Sequence, residues 1–289
     1  MDGIINVLKP PGKTSHQVVA ELRKKLGIKK IGHTGTLDPN AAGVLPICIG
    51  KATRVSQYVM DFDKVYRAEV TLGEKSDTGD LYGNVTKQEL PKDFSLERNA
   101  LTEILNGFVG EITQTPPMAS AIKVKGKKLY EYYRQGKEVE VPTRKVQVYK
   151  IELIDTPFKQ DKFYIDVTCS KGTYIRSLCT DIGDVVGYGG LMSFLLRTKV
   201  GPFNIETATP LSQIEKDKVP EMLFPLDTVL VKFPKLTLDD DSSQAIIHGR
   251  KVNIDTEVEG TVRLYNRQGD FLALANSARG SLKPTKVYA

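Results

Sequence analysis

Cysteine is scarce: Cys48, Cys169 and Cys179 are the only three in 289 residues, and no two of them form a CxxC pair. An odd, scattered set argues against a disulfide framework and against a cysteine-rich zinc site. It fits a chain whose thiols stay reduced, as in a cytoplasmic protein. No apolar run approaches the roughly 20 residues that span a bilayer. The start, Met1-Asp2-Gly3-Ile4-Ile5-Asn6, has no basic region followed by an apolar stretch, so no secretory signal is expected. Repeats and low-complexity tracts are also missing. Gly12-Lys13-Thr14-Ser15 has the tail of a phosphate-binding P-loop, but Val7 stands where that motif needs its first glycine. A nucleotide cofactor is therefore not expected. A zinc deaminase acting on a flipped base is disfavoured by the missing cysteine pair.

Charge is plentiful and unevenly placed. The net charge is +6 and the pI about 9.0. Residues 121–150 hold nine basic side chains against Glu131, Glu138 and Glu140, and residues 1–54 hold nine against Asp2, Glu21 and Asp38. Two local excesses of +6 with near balance elsewhere point to a polyanionic partner.

The spacing of Val18, Val19, Leu22 and Leu26 predicts a helix over about 14–27, with Thr14 or Ser15 as its cap and Gly27 as its stop. Tyr66–Leu72 alternates like a half-buried strand, Val146–Ile154 and Phe163–Cys169 also read as strands, and Tyr174–Val186 as an amphipathic helix. Pro116-Pro117 and Pro142 bracket the basic stretch and suggest an inserted excursion over about 118–145. After Pro234, short strand-like runs at Val262–Tyr265 and Phe271–Ala275 suit a small β-barrel.

The most unusual stretch is Gly32-His33-Thr34-Gly35-Thr36-Leu37-Asp38-Pro39-Asn40-Ala41-Ala42-Gly43-Val44-Leu45-Pro46. Its glycines, prolines and threonines predict an irregular loop anchored by Leu37, Val44 and Leu45, a setting in which chemistry is often carried. Asp38 is its one carboxylate. By itself, an Asp-Pro dipeptide is usually just a turn.

This loop resembles the catalytic motif of TruB-type tRNA pseudouridine synthases, the stand-alone bacterial kind. Further stretches resemble the family's other motifs: Lys9-Pro10-x-Gly12-x-Thr14-Ser15; Lys64-x-Tyr66 with Leu72-Gly73 and Ser76-Asp77-Thr78-Gly79-Asp80; Ser170 to Leu178; and Leu195-Leu196-Arg197-Thr198-x-x-Gly201-x-Phe203. Together they cover residues 3 to about 203. The resemblance implies an α+β fold: a mixed, largely antiparallel central sheet with flanking helices, plus a small C-terminal β-barrel of the PUA type. It implies a catalytic domain over 1–234, with a thumb insertion at about 118–145, and an RNA-binding domain over 235–289. It implies isomerisation of the T-loop uridine conventionally numbered 55 in tRNA, with that arm as partner, no cofactor, no metal and no membrane, in a monomer.

The resemblance makes Asp38 the catalytic residue, Tyr66 the active-site aromatic and Arg176 the partner of Asp38. It sets Leu195 against the uracil, Tyr174 in support, and His33 on the T-loop. RNA contacts are expected from Lys9, Lys123, Lys125, Lys127, Lys128 and Arg144, the lysines of the excursion being interleaved with Tyr130, Tyr132 and Tyr133.

The chemistry breaks the bond from ribose C1′ to N1 of the uracil, turns the base and rejoins it through C5, with no redox change. An aspartate can serve as nucleophile or as base, and both roles need it ionised. A nearby guanidinium lowers a carboxyl pKa by about 1–3 units, or roughly 1.4–4 kcal/mol; Arg176 is expected to decide the charge of Asp38 in this way. Flipping the base costs a few kcal/mol, and stacking on Tyr66 would return about 1–3 kcal/mol. Two rivals stand beside this: a guide-RNA-dependent synthase, which the excursion at 118–145 disfavours, and a tRNA-binding chaperone without chemistry.

Overall fold

The computed structural model describes residues 1–154 and 161–289. Eleven strands form one sheet. Its main path runs Thr209–Pro210, Gly3–Lys9, Ala42–Ile49, Gly190–Val200, Lys64–Leu72, Lys162–Cys169, Arg144–Leu153, Gly110–Gln114. Most pairings are antiparallel; Gly190–Val200 on Ala42–Ile49 and Gly3–Lys9 on Thr209–Pro210 are parallel. This is the mixed, largely antiparallel sheet of the α+β class that the sequence leads one to expect.

The alternation that predicts the 66–72 strand has a direct cause. Ala68, Val70 and Leu72 join Phe163, Ile165, Val167 and Cys169 of the neighbouring strand in one core, under helices Arg98–Asn106 and Ile175–Val186. The opposite face is polar: Arg67 reaches Asp166 with two hydrogen bonds of 2.8 and 2.7 Å. The helix Ser15–Leu26 seats Val18, Val19, Leu22 and Leu26 on a second core with Ile5, Val7, Leu45 and Ile47. Thr14 is its cap, in a reciprocal capping box with Gln17, and Gly27 ends it in the left-handed conformation.

The strand Gly3–Lys9 lies between two cores, so its residues are buried on both faces and show no alternation. The basic excursion forms a hairpin, Lys123–Val124 with Lys127–Lys128, followed by helix Leu129–Arg134. The excursion ends earlier than the sequence suggests. Arg144 and Lys145 begin a central-sheet strand and pair with Gln114 and Thr113, because Val146 and Val148 need the core that this strand faces.

Residues from Lys235 onward build a second, curled five-stranded sheet around Leu238, Ile246, Val262, Leu264 and Leu272. Its Leu274 and Tyr288 pack into a core shared with Ile4, Val200 and Phe203 of the large sheet. Among the described residues, no helix is long and apolar enough to cross a membrane.

Candidate active site

The loop before Ala42 is irregular but firmly held. With Thr14 capping the helix, Ser15 is free to turn inward: its hydroxyl accepts from the Leu37 N–H at 2.9 Å. Thr34 donates its hydroxyl to the Pro46 carbonyl at 3.0 Å, and Gly12 N–H donates to the Pro39 carbonyl at 2.9 Å. These ties fix the backbone on both sides of Asp38.

Asp38 opens into a cleft lined also by Thr36, Leu37, Tyr66, Thr173, Tyr174, Ile175, Arg176 and Leu195. Its side chain is about one-third exposed, while that of Arg176 is 4% exposed. Arg176 Nε lies 3.0 Å from Asp38 Oδ2, and Nη2 donates to Oδ1 at 3.2 Å. The guanidinium is oriented from behind: Nη1 donates to the Thr78 carbonyl at 3.0 Å and Nη2 to the Ala119 carbonyl at 3.1 Å. Asp80, whose place in a motif the sequence marks without giving it a role, stands 3.7 Å from Nη1. Its other oxygen accepts from the Thr78 hydroxyl at 2.7 Å and the Tyr82 N–H at 2.9 Å.

Burial holds the Asp38 carboxyl above its ordinary pKa of 3.8. Arg176 pulls it down, Asp80 pushes it up, and Lys9 pulls it down more weakly. The sequence leads one to expect Arg176 to win; in the folded chain burial outweighs it.

Tyr66 and Leu195 form the apolar walls. Leu195 pairs across the strands with Ala68 and is 7% exposed. Burial raises the Tyr66 phenol above its usual pKa, opposed by the charge of Arg197. Tyr174 caps the helix that carries Arg176, and its backbone is bracketed by the buried Gln114 amide: Tyr174 N–H donates to Oε1 at 3.0 Å, and Nε2 donates to the Tyr174 carbonyl at 3.2 Å. Arg144 stands over the Tyr174 ring, 5.7 Å from its centroid.

His33 does not line the cleft. It is half-buried, edge-on to His16 with ring centroids 4.8 Å apart. Burial, then His16 and Arg197, lowers its pKa to about 4, so it presents a neutral ring at pH 7. Lys9, expected at the RNA, is fully buried. Its ammonium donates to the carbonyls of Pro10 and Pro39, each at 2.9 Å. Burial lowers its pKa to about 8. The doubly buried strand turns this lysine inward, where it props the turn that follows Asp38.

Lys123, Lys125 and Lys127 are exposed and Lys128 is half-buried. Lys128 and Arg134 flank the Tyr130 ring at 5.4 and 5.3 Å. Tyr133 donates its hydroxyl to Asp77 at 3.0 Å, which ties the excursion to the loop carrying Asp80.

Comparison with known proteins agrees over the whole chain. Residues 23–175 match the model described as TruB family pseudouridylate synthase (N terminal domain). Residues 176–231 match a tRNA pseudouridylate synthase B C-terminal domain, and 234–287 match pseudouridine synthase II TruB, C-terminal. A protein named tRNA pseudouridine synthase B from Caldanaerobacter subterraneus subsp. tengcongensis is 47% identical over 100% of this chain and 99% of its own. One of the same name from Alkaliphilus oremlandii is 50% identical over 87% of this chain and 83% of its own. Among solved structures, an H/ACA RNP bound to a substrate RNA containing 2'-deoxyuridine superposes with a TM-score of 0.73 at 26% identity, over 99% of this chain and 85% of that one. A Cbf5-Nop10-Gar1 complex gives 0.72 at 28%, with the same coverage.

Proposed function

The chain belongs to the TruB family of pseudouridylate synthases, and from that premise we propose that it isomerises the T-loop uridine 55 of tRNA, with Asp38 acting on a flipped-out base. One observation carries the reading: the side-on ion pair of Asp38 with the buried Arg176, at the bottom of a cleft walled by Tyr66 and Leu195. The uracil stacks on Tyr66 with Leu195 on its other side. That apolar sandwich excludes water and repays part of the cost of unstacking. Asp38 then reaches the ribose, as nucleophile at C1′ or as base toward a ribose proton. Arg176 keeps the carboxylate aligned and favours its charged form, against burial.

The half-buried, neutral His33 offers a planar ring to the T-loop, suited to stacking on a base rather than to pairing with phosphate. The lysines of the excursion supply the phosphate contacts, with Arg144 and Tyr174 at the rim. In this reading residues 1–234 are the catalytic unit and 235–289 an RNA-binding unit. The curated relatives at 47–50% identity favour a stand-alone enzyme, as does the basic excursion.

The experiment is incubation with an unmodified tRNA transcript followed by chemical mapping of pseudouridine, beside the Asp38→Asn protein. The expected result is a single modified position in the T-loop, absent with Asp38→Asn. A wild-type protein that leaves that uridine unmodified without a guide RNA overturns the assignment.

A further inference from the structure

Arg197 has no assigned part in the chemistry, yet it is the largest fully buried side chain among the described residues, 2% exposed. Among those residues no carboxylate pairs with it. Its guanidinium is met instead by backbone oxygens of the Asp38 loop and of the strand that follows it: Nε donates to the Val44 carbonyl of that strand at 2.8 Å, while Nη1 and Nη2 lie 3.5 Å from the loop carbonyls of Thr36 and Gly35. A guanidinium buried without a carboxylate costs several kcal/mol of hydration that packing alone does not explain.

Register supplies the other half. Arg197 lies directly opposite Tyr66 on the antiparallel neighbour strand, so the two side chains share a face. The charge of Arg197 acts on the Tyr66 phenol, against the burial that raises its pKa. On its other side Arg197 pairs with Gly43 of the parallel strand. A Cβ at Gly43 would stand 2.2 Å from the Arg197 carbonyl oxygen, and Gly43 has φ +121°, so strand and loop meet with no slack.

We propose that Arg197 is a positioning residue for the isomerisation: one guanidinium ties the loop bearing Asp38 to the Tyr66 ring and so sets the distance between the reacting carboxylate and the stacked uracil. This rests on the function proposed above. The guanidinium reaches the Gly35–Thr36 backbone from the strand position directly opposite Tyr66.

The test uses the full chain with Arg197→Lys and Arg197→Met, each alone and combined with Tyr66→Phe, which removes only the phenol oxygen. Single-turnover rate at saturating enzyme and tRNA affinity are measured after folding is checked by circular dichroism and melting. Arg197→Lys is expected to lose about 10–100-fold in rate, the scale of a roughly 1 Å misplacement, with affinity within about threefold. Combined with Tyr66→Phe, the losses should fall well short of multiplying, because both substitutions cut the same link. Folded single variants with near wild-type rates, or losses that multiply in full, overturn the inference. If neither variant folds, Arg197 is a stability residue and the inference is also overturned. A wild-type control that makes no pseudouridine overturns the functional reading instead.

Discussion

Arg176 meets Asp38 side-on, with Nε 3.0 Å from one carboxylate oxygen and Nη2 3.2 Å from the other, while Nη1 and Nη2 also donate to the carbonyls of Thr78 and Ala119. The planar fork is thus locked from behind by two segments far apart in sequence. It presents a fixed cationic edge to a carboxylate that is itself anchored through Ser15, Pro39 and Lys9.

Lysine cannot reproduce that geometry, since its ammonium has no planar fork. Arg176→Lys should therefore fold and bind tRNA but lose about 100-fold or more in single-turnover rate at saturating enzyme. A rate near that of the wild type would remove Arg176 from the site.

The pH dependence of that rate reports the carboxylate. Asp38 reacts when ionised, so the rate rises with pH through its folded pKa, which burial places above the ordinary 3.8. Asp80 adds a like charge that raises this pKa, so Asp80→Asn should move the acidic limb to lower pH. Lys9 lowers it, so Lys9→Met should move the limb to higher pH. Rate profiles across the acidic range for the three proteins check both signs, and a common shift in one direction contradicts the electrostatics.

Lys9→Met separates two roles in a second way. A lysine on the phosphate backbone would contribute to counterion release, and its removal would flatten the dependence of log affinity on log salt by about one unit. A fully buried lysine should leave that slope unchanged. A flattened slope would put Lys9 back at the RNA.

The excursion predicts the opposite. Replacing Lys123, Lys125, Lys127 and Lys128 by Gln should flatten the slope by up to about one unit for each phosphate no longer neutralised, while saturating enzyme still converts the bound tRNA. An unchanged slope means a merely solvated face; a collapsed saturating rate means that this segment also assembles the cleft.

Sequence pattern exposes the parts of this site that local chemistry builds. The glycines, prolines and threonines of 32–46 mark the loop, the alternation over 66–72 sets Tyr66 on the core face, and Thr14 with Gly27 brackets a helix. What it hides depends on distant segments. Lys9 looks like a surface cation because only the second core layer shows that its strand is buried on both faces. Asp80, Gln114 and Arg197 acquire meaning through partners at Arg176, Tyr174 and Tyr66, which no periodicity connects. The balance of forces on Asp38 is hidden for the same reason: its arginine is readable in a motif, but the depth of the pocket is not.

Strand Gly190–Val200 lies between Ala42–Ile49 and Lys64–Leu72, two strands that precede it by well over a hundred residues. It is the sheet's central seam, and it brings Leu195 and Arg197 with it. Loop closure over such separations makes this pairing slow relative to local structure. On the ribosome, the Asp38 loop and Tyr66 therefore emerge long before the strand that joins them. Until that strand is in place the cleft lacks its Leu195 wall, so the site around Asp38 and Tyr66 is completed late in synthesis, with one insertion event.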